Sequence, residues 1–264
     1  MLVLALTAAC GTTQTGVTTS TEPAPTTTVP SPTTTSTTTS TTTASTTTTT
    51  TVPSPTTTPT TTPSLSPPMI GPGDSGPAVV ALQRRLSSLG YWLGSPDGRF
   101  GDSTEQAVYA LQKTAGISRD GVVGPVTEAA LARGVVARPR STSGHVVEVD
   151  LGDDLLMIVD DGKLTVTLNT STGGGYTYVD RGVTALAETP VGVFRVFRQV
   201  DGLVVSSLGE LWRPKFFYSG FAIHGASSVP PYPASHGCVR VSNAAIDWIW
   251  AENVLPIGTE VWVY

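Results

Sequence analysis

Ile223-His224-Gly225 and, a short distance on, Ser235-His236-Gly237-Cys238-Val239-Arg240 form the stretch from which the rest of this chain is read outward. The chain has two cysteines and three histidines, and two of those histidines lie here beside Cys238. A thiol is nucleophilic only as thiolate, so a reactive cysteine needs a base or a positive field nearby. The expectation is therefore an imidazole acting on Cys238 and a thiol that ionises near neutral pH. His236 stands two positions before Cys238. In a strand the two would share a face, whereas in a turn Gly237 would let backbone amides approach a bound group. Such amides could donate to the oxygen of a tetrahedral intermediate. Two other accounts stay open on these residues alone: a Cys-His₂ zinc site built from His224, His236 and Cys238, and a cysteine that is only a small buried hydrophobe.

Outward from this stretch the pattern is that of short strands. His145 to Val149, Leu155 to Val159 and Leu164 to Leu168 are rich in β-branched and aliphatic residues, and Asp161-Gly162 between the last two predicts a hairpin turn. Val191 to Val196, Leu203 to Ser206 and Thr259 to Tyr264 read the same way, with one helix from Asn243 to about Glu252. Many short strands and little helix point to a β-sandwich or barrel-like domain over residues 145–264. Within it His145 reads as a surface or structural residue. Gly173-Gly174-Gly175 lacks the Lys-Ser/Thr of a phosphate loop and reads as a flexible connection. The acid pairs Asp153-Asp154 and Asp160-Asp161 read as solvated turns, and Trp212, Phe216, Phe217 and Tyr218 as core packing in preference to flanking the cleft.

Before a linker at residues 135–144 lies a helical unit, residues 71–134. Pro77 suits a first helical turn, Val79, Leu82, Leu86 and Leu89 recur at helical spacing, and Gly90 ends the run. Asp102-Ser103-Thr104-Glu105 reads as a capping box opening a second helix, with Asp102 as cap. The unit contains a repeat. Asp97-Gly98-Arg99-Phe100-Gly101 before Thr104-Glu105 is echoed by Asp120-Gly121-Val122-Val123-Gly124 before Thr127-Glu128, each an Asp-Gly turn feeding a helix.

Residues 11–70 are mostly Thr, Ser and Pro with a single charge, Glu22, and have too few apolar side chains to offset the entropy of ordering. They are expected to form a disordered stalk, roughly 190 Å long if extended and about 45 Å as a coil. Residues 1–10 read as an export segment: the apolar run Leu2 to Leu6 is too short to span a bilayer, and it leads into Thr7-Ala8-Ala9-Cys10. That run resembles a lipoprotein signal, in which Cys10 is lipidated and tethers the chain to the outer face of the membrane. The net charge of −5 and the lack of a basic cluster argue against nucleic acid as a partner.

Two resemblances organise these readings. Leu82-Gln83-Arg84-Arg85-Leu86, Leu89-Gly90-Tyr91, Asp97-Gly98, Phe100-Gly101 and Ala107-Val108 with Leu111-Gln112 are similar to the small three-helix peptidoglycan-binding domain, which implies wall polymer as a partner. His224 and the Ser-His-Gly-Cys run, with Ser171-Thr172-Gly173 and Thr189-Pro190-Val191-Gly192, resemble the L,D-transpeptidase catalytic domain. That resemblance implies Cys238 as nucleophile, His224 as general base, His236 in support, and the Gly237 and Cys238 amides as oxyanion donors. It also implies Ser235, Gly225 and Arg240 at the substrate, Arg240 on a carboxylate, with no metal or organic cofactor. The implied reaction cross-links peptidoglycan stems 3→3 through a cysteine acyl-enzyme that carbapenems would also form. Water or a protein amine as acceptor, and a non-catalytic wall-binding lipoprotein, are the alternatives. The segment Gly225 to Ala234 is shorter than in many members and borders the cleft.

Overall fold

The computed structural model describes residues 69–264. The export segment, Cys10 and the expected stalk up to residue 68 lie outside the described residues, whereas Ile70, expected in the stalk, exchanges backbone hydrogen bonds with Val123 and belongs to the helical unit. Three helices come first: α1 (Pro77–Ser88), α2 (Asp102–Thr114) and α3 (Pro125–Arg133). Twelve strands follow, β1 (His145–Asp150), β2 (Leu155–Asp160), β3 (Lys163–Asn169), β4 (Thr177–Asp180), β5 (Val183–Leu186), β6 (Gly192–Arg195), β7 (Arg198–Gln199), β8 (Leu203–Ser206), β9 (Gly209–Tyr218), β10 (Phe221–Ala226), β11 (Val239–Ser242) and β12 (Glu260–Val263). A fourth helix, α4 (Asn243–Ala251), sits between β11 and β12.

The helical repeat is built from one hydrogen-bond device used twice. Gln83 Nε2 donates to Asp97 Oδ1, the Arg99 carbonyl and Thr104 Oγ1, and its Oε1 accepts the Gly98 N–H. Gln112 repeats this with Asp120, Val122, Thr127 and Gly121. A buried glutamine thus fastens each Asp-Gly turn to the helix it feeds. Gln112→Met should leave several of these groups unpaired in the interior and lower stability by about 3 kcal/mol, which urea denaturation would measure. One expectation is corrected: Asp102 is not the cap of α2. Gly101, in extended backbone, takes that place, and its carbonyl accepts the N–H groups of Thr104 and Glu105. Asp102 becomes the first helical residue, where its charge still complements the positive end of the helix.

The β region contains two mixed five-stranded sheets and a hairpin. One sheet runs β3-β2-β1-β12-β6, with β1 and β12 parallel; the other runs β11-β10-β9-β7, with β8 also on β9, and β10 and β11 parallel. Val147, Leu156 and Val261 from the first sheet, Phe217, Ile223 and Val239 from the second, and Ile246 and Ile249 of α4 fill one core. Ser242 caps α4 by accepting the Ala245 N–H.

The alternate face of β2 carries Leu155, Met157 and Val159 into a second core shared with Leu86, Tyr91 and Leu111 of the helical unit. Side chains of β2 alternate between the two cores, so a strand read as uniformly apolar serves both. The Trp92 N–H donates to the Thr167 carbonyl, and the Thr167 N–H to the Gly90 carbonyl, carrying backbone pairing across the same junction. Residues 135–144 are fastened as well. Glu148, inside β1, accepts the N–H groups of Arg140 and Ser141, the Ser141 hydroxyl and the Tyr264 hydroxyl.

Candidate active site

The second sheet carries the site. β10 holds His224 within its buried length, and its parallel neighbour β11 begins immediately after Cys238. His236, Gly237 and Cys238 therefore lie in a turn, not a strand. Gly237 is at φ +127°, and a Cβ there would approach Phe221 Cε1 to 2.4 Å and the Glu188 carbonyl oxygen to 2.6 Å. Both the backbone angle and the space demand glycine. Ser235 closes this turn: its hydroxyl donates to the Cys238 carbonyl at 2.6 Å and accepts the Gly237 N–H at 2.9 Å.

His224, His236, Cys238 and Arg240 all line one open cavity of about 900 Å³. His224 is 4 % exposed, and its Nδ1 lies 2.8 Å from the Gly225 carbonyl. A carbonyl only accepts, so Nδ1 carries the hydrogen and Nε2 is left as the basic nitrogen. The His236 ring packs edge-on against Tyr178 and Tyr176 at centroid distances of 4.7 and 5.5 Å, which fixes its orientation beside the β4–β5 hairpin. A Cβ on Gly225 would come within 2.6 Å of Ile246 and 2.7 Å of Asn243 Oδ1, so α4 packs directly behind the histidine strand.

Residues 144–263 match the L,D-transpeptidase catalytic domain family, and residues 75–131 match the putative peptidoglycan binding domain family. The solved structure of the L,D-transpeptidase (residues 123–326) of Xylanimonas cellulosilytica is 52% identical, covers 75% of this chain and 98% of its own, and superposes with a TM-score of 0.73. The chain belongs to the L,D-transpeptidase family. Two curated relatives from Bacillus licheniformis match in part: a probable N-acetylmuramoyl-L-alanine amidase, 36% identical over 115 residues, and N-acetylmuramoyl-L-alanine amidase CwlL, 53% identical over 62. Those matches cover 42% and 23% of this chain, which in turn spans 31% and 17% of the two amidases.

The electrostatics of this L,D-transpeptidase site differ from the expected thiolate. Burial pushes the Cys238 thiol up, and the Ala222 N–H and Arg240 pull it back only in part. Burial also lowers His224 to about 4, although its bond to the Gly225 carbonyl acts the other way. At neutral pH both groups are uncharged, because each sits in a low-dielectric wall that disfavours its ionised form. Iodoacetamide labelling of Cys238 should therefore be slower at pH 7 than that of an exposed cysteine, whose pKa is about 8.5, and should still climb above about pH 9. A rate that levels off below about pH 8 would mean a preformed thiolate–imidazolium pair. With His224 as the expected base, activity should hold at pH values well below ordinary imidazole titration and fall as pH drops through about 4.

Several expected roles change. Ser235 lines the cavity but is 1 % exposed, with its hydroxyl engaged in shaping the turn. The Gly237 N–H is held by Ser235 Oγ and is not free for an oxyanion. Gly225 contributes a close backbone approach and the acceptor for His224. Among the described residues, no three His, Cys, Asp or Glu side chains converge as metal ligands. Phe216 is buried and Trp212 packs against the core, as expected, while both also line the cavity; Phe217 packs in the core and Tyr218 is exposed.

The Gly173-Gly174-Gly175 run is bonded in place: the Gly173 N–H donates to Thr189 Oγ1 and the Gly174 N–H to the Ser235 carbonyl. Asp154 is 1 % exposed, not solvated. Its neighbour in space is Lys113 of α2, a residue the sequence reading passed over because a lysine late in an amphipathic helix ordinarily points to solvent.

Proposed function

We propose that this chain is a cysteine-dependent transpeptidase that cross-links peptidoglycan stems 3→3 in the cell envelope. The observation that carries this reading is the placing of His224, with Nδ1–H held by the Gly225 carbonyl, in the same cavity as Cys238. A buried neutral imidazole whose Nδ1–H is engaged keeps Nε2 as its basic nitrogen, and a neutral thiol in the same cavity can yield its proton to it.

In the reaction, His224 Nε2 takes the Cys238 proton as sulfur attacks the carbonyl carbon of the third stem residue. The developing oxyanion is met by the Cys238 N–H. The carbon–nitrogen bond then breaks, and the D-Ala amine leaves with the proton from His224. A side-chain amine of a second stem attacks the resulting thioester, gives its proton to His224, and releases Cys238 as a thiol. Arg240, lining the cavity, pairs with a substrate carboxylate. His236 and its two tyrosine neighbours form one wall for the stem. The helical unit binds wall polymer, and a lipid on Cys10 would hold the whole at the outer face of the membrane, within reach of the wall.

The test is muropeptide analysis after adding the full chain to sacculi rich in tetrapeptide stems. The expected products are 3→3 dimers with one D-Ala released per cross-link. Tripeptide stems without dimers would mean that water is the acceptor, and unchanged stems would overturn the enzyme reading in favour of a wall-binding protein.

A further inference from the structure

The mechanism above leaves one buried titratable group unexplained. Lys113 of α2 is fully buried, and its ammonium makes three contacts, all with the neighbouring β region: the Asp154 carbonyl at 2.8 Å, the Thr170 carbonyl at 2.8 Å and Asp154 Oδ2 at 3.2 Å. Withdrawing an ammonium from water is costly unless each donor finds a partner, and a Met would fill the same space without that cost. Burial pulls this lysine down to about 8 in spite of its aspartate, which leaves it charged at neutral pH.

What it holds leads directly to the reactive turn. Asp154, in left-handed backbone at φ +57°, uses its other oxygen, Oδ1, to accept the N–H and the hydroxyl of Thr172. The Thr172 carbonyl accepts the N–H groups of Ala234 and Ser235. Ser171 exchanges both backbone bonds with Arg240, and the Thr170 hydroxyl donates to the Arg240 carbonyl. Residues 170–172 therefore bind both ends of the segment that runs from Ala234 to Arg240 and carries Cys238.

The same helix and the loop after it grip the segment before the turn. Gln106 Nε2 and Asn169 Nδ2 both donate to the Val229 carbonyl, and Asn169 also donates to Gln106 Oε1. Arg119 donates to the Pro231 carbonyl. This is the short cleft-bordering segment, whose carbonyls would otherwise face water.

We infer that Lys113 is a positioning residue for transfer, acting through Asp154 and residues 170–172 on the Cys238 turn, and that the wall-binding unit is thereby part of the catalytic apparatus and more than a tether. This rests on Cys238 as nucleophile. An amide and a sulfur that must meet one carbonyl group at fixed distances are sensitive to shifts well under an ångström, and misplacement of that size is felt in the rate of the chemical step more than in binding.

The test compares full-length Lys113→Met, Lys113→Met/Asp154→Asn, Arg119→Ala and Cys238→Ala, measuring melting temperature, kcat and KM for stem transfer, and iodoacetamide labelling of Cys238. All rates are taken well below each melting temperature. The double variant leaves no unpaired buried charge, so it reports even where Lys113→Met fails to fold, and Arg119 is partly exposed, with one hydrogen bond to the Pro231 carbonyl. The expected result is a kcat about a hundredfold lower in both Lys113 variants, with KM within about twofold of the native value and labelling little changed. Arg119→Ala should lower kcat in the same direction by a smaller factor. A lower melting temperature with native kcat in the folded Lys113 variants, or native kcat in both the double variant and Arg119→Ala, would reduce this contact to a structural strut and overturn the inference. Transfer surviving in Cys238→Ala would instead overturn the nucleophile assignment, whatever the Lys113 variants do.

Discussion

His224→Ala should lower kcat/KM for stem transfer by about a thousandfold, the usual contribution of a positioned general base, while leaving the fold intact. The imidazole is enclosed by β10 and the cavity wall, yet its one hydrogen bond runs to the carbonyl of the next residue, so its removal strands a single acceptor. The pH profile gives the second readout. In the native protein the acid limb lies near the lowered His224 value, whereas in the variant that limb disappears and the residual rate rises with hydroxide. Iodoacetamide labelling should climb with pH above about 9 in the two proteins alike, because hydroxide and not His224 then ionises the thiol. A variant that keeps native kcat/KM at neutral pH would remove His224 from the chemistry.

Gly237→Ala is expected to cost activity almost as heavily, about a hundredfold in kcat, by a different route. Its added methyl would overlap Phe221 and the Glu188 carbonyl, and the residue would have to hold a φ of +127° that alanine rarely adopts. The turn must therefore rotate, and with it the Cys238 N–H and sulfur. Ser235 would lose the N–H it accepts, and the Thr189 hydroxyl would lose the Gly237 carbonyl to which it donates at 2.8 Å. Labelling of Cys238 at pH 7 should stay slower than that of an exposed cysteine, which separates a displaced turn from an unfolded one. Native kcat in Gly237→Ala would mean that the turn geometry described here does not govern the reaction.

What could be read in the sequence, and what could not, follows from the range of the interactions involved. The strands β1, β2 and β3 announce themselves through dense β-branched runs and the Asp161-Gly162 turn, and α1 and α3 through a proline at the first turn and a glycine at or just beyond the end. That His224, His236 and Cys238 share one cavity was legible because they stand close along the chain. The strands β9 and β10 were not. Pro214 and Gly220 interrupt their pattern, and Lys215 sits fully buried within β9 because its ammonium finds Gln199 Oε1 and the Leu255 carbonyl, partners distant in sequence. The exposed Val179 and Val183 of the β4–β5 hairpin show why that element carries no inward-outward alternation.

Asp154 and Ser235 were misread for the same reason. A carboxylate in a turn and a serine before a histidine look solvated or substrate-facing until tertiary contacts supply a buried ammonium to one and two backbone groups to the other. The ionisation of Cys238 was misjudged because proximity of an imidazole in sequence says nothing of the dielectric in which the pair sits.

The central claim is that Cys238 carries the acyl group between donor and acceptor. The direct measurement is intact-mass spectrometry of the full chain after incubation with a tetrapeptide stem whose side-chain amine is blocked, so that no acceptor is present. The account predicts a mass increase equal to the stem less its terminal D-Ala, located on Cys238 by digestion, matched by one released D-Ala and lost in Cys238→Ala. Release of D-Ala with no covalent adduct at any time, or an adduct on another residue, would contradict it.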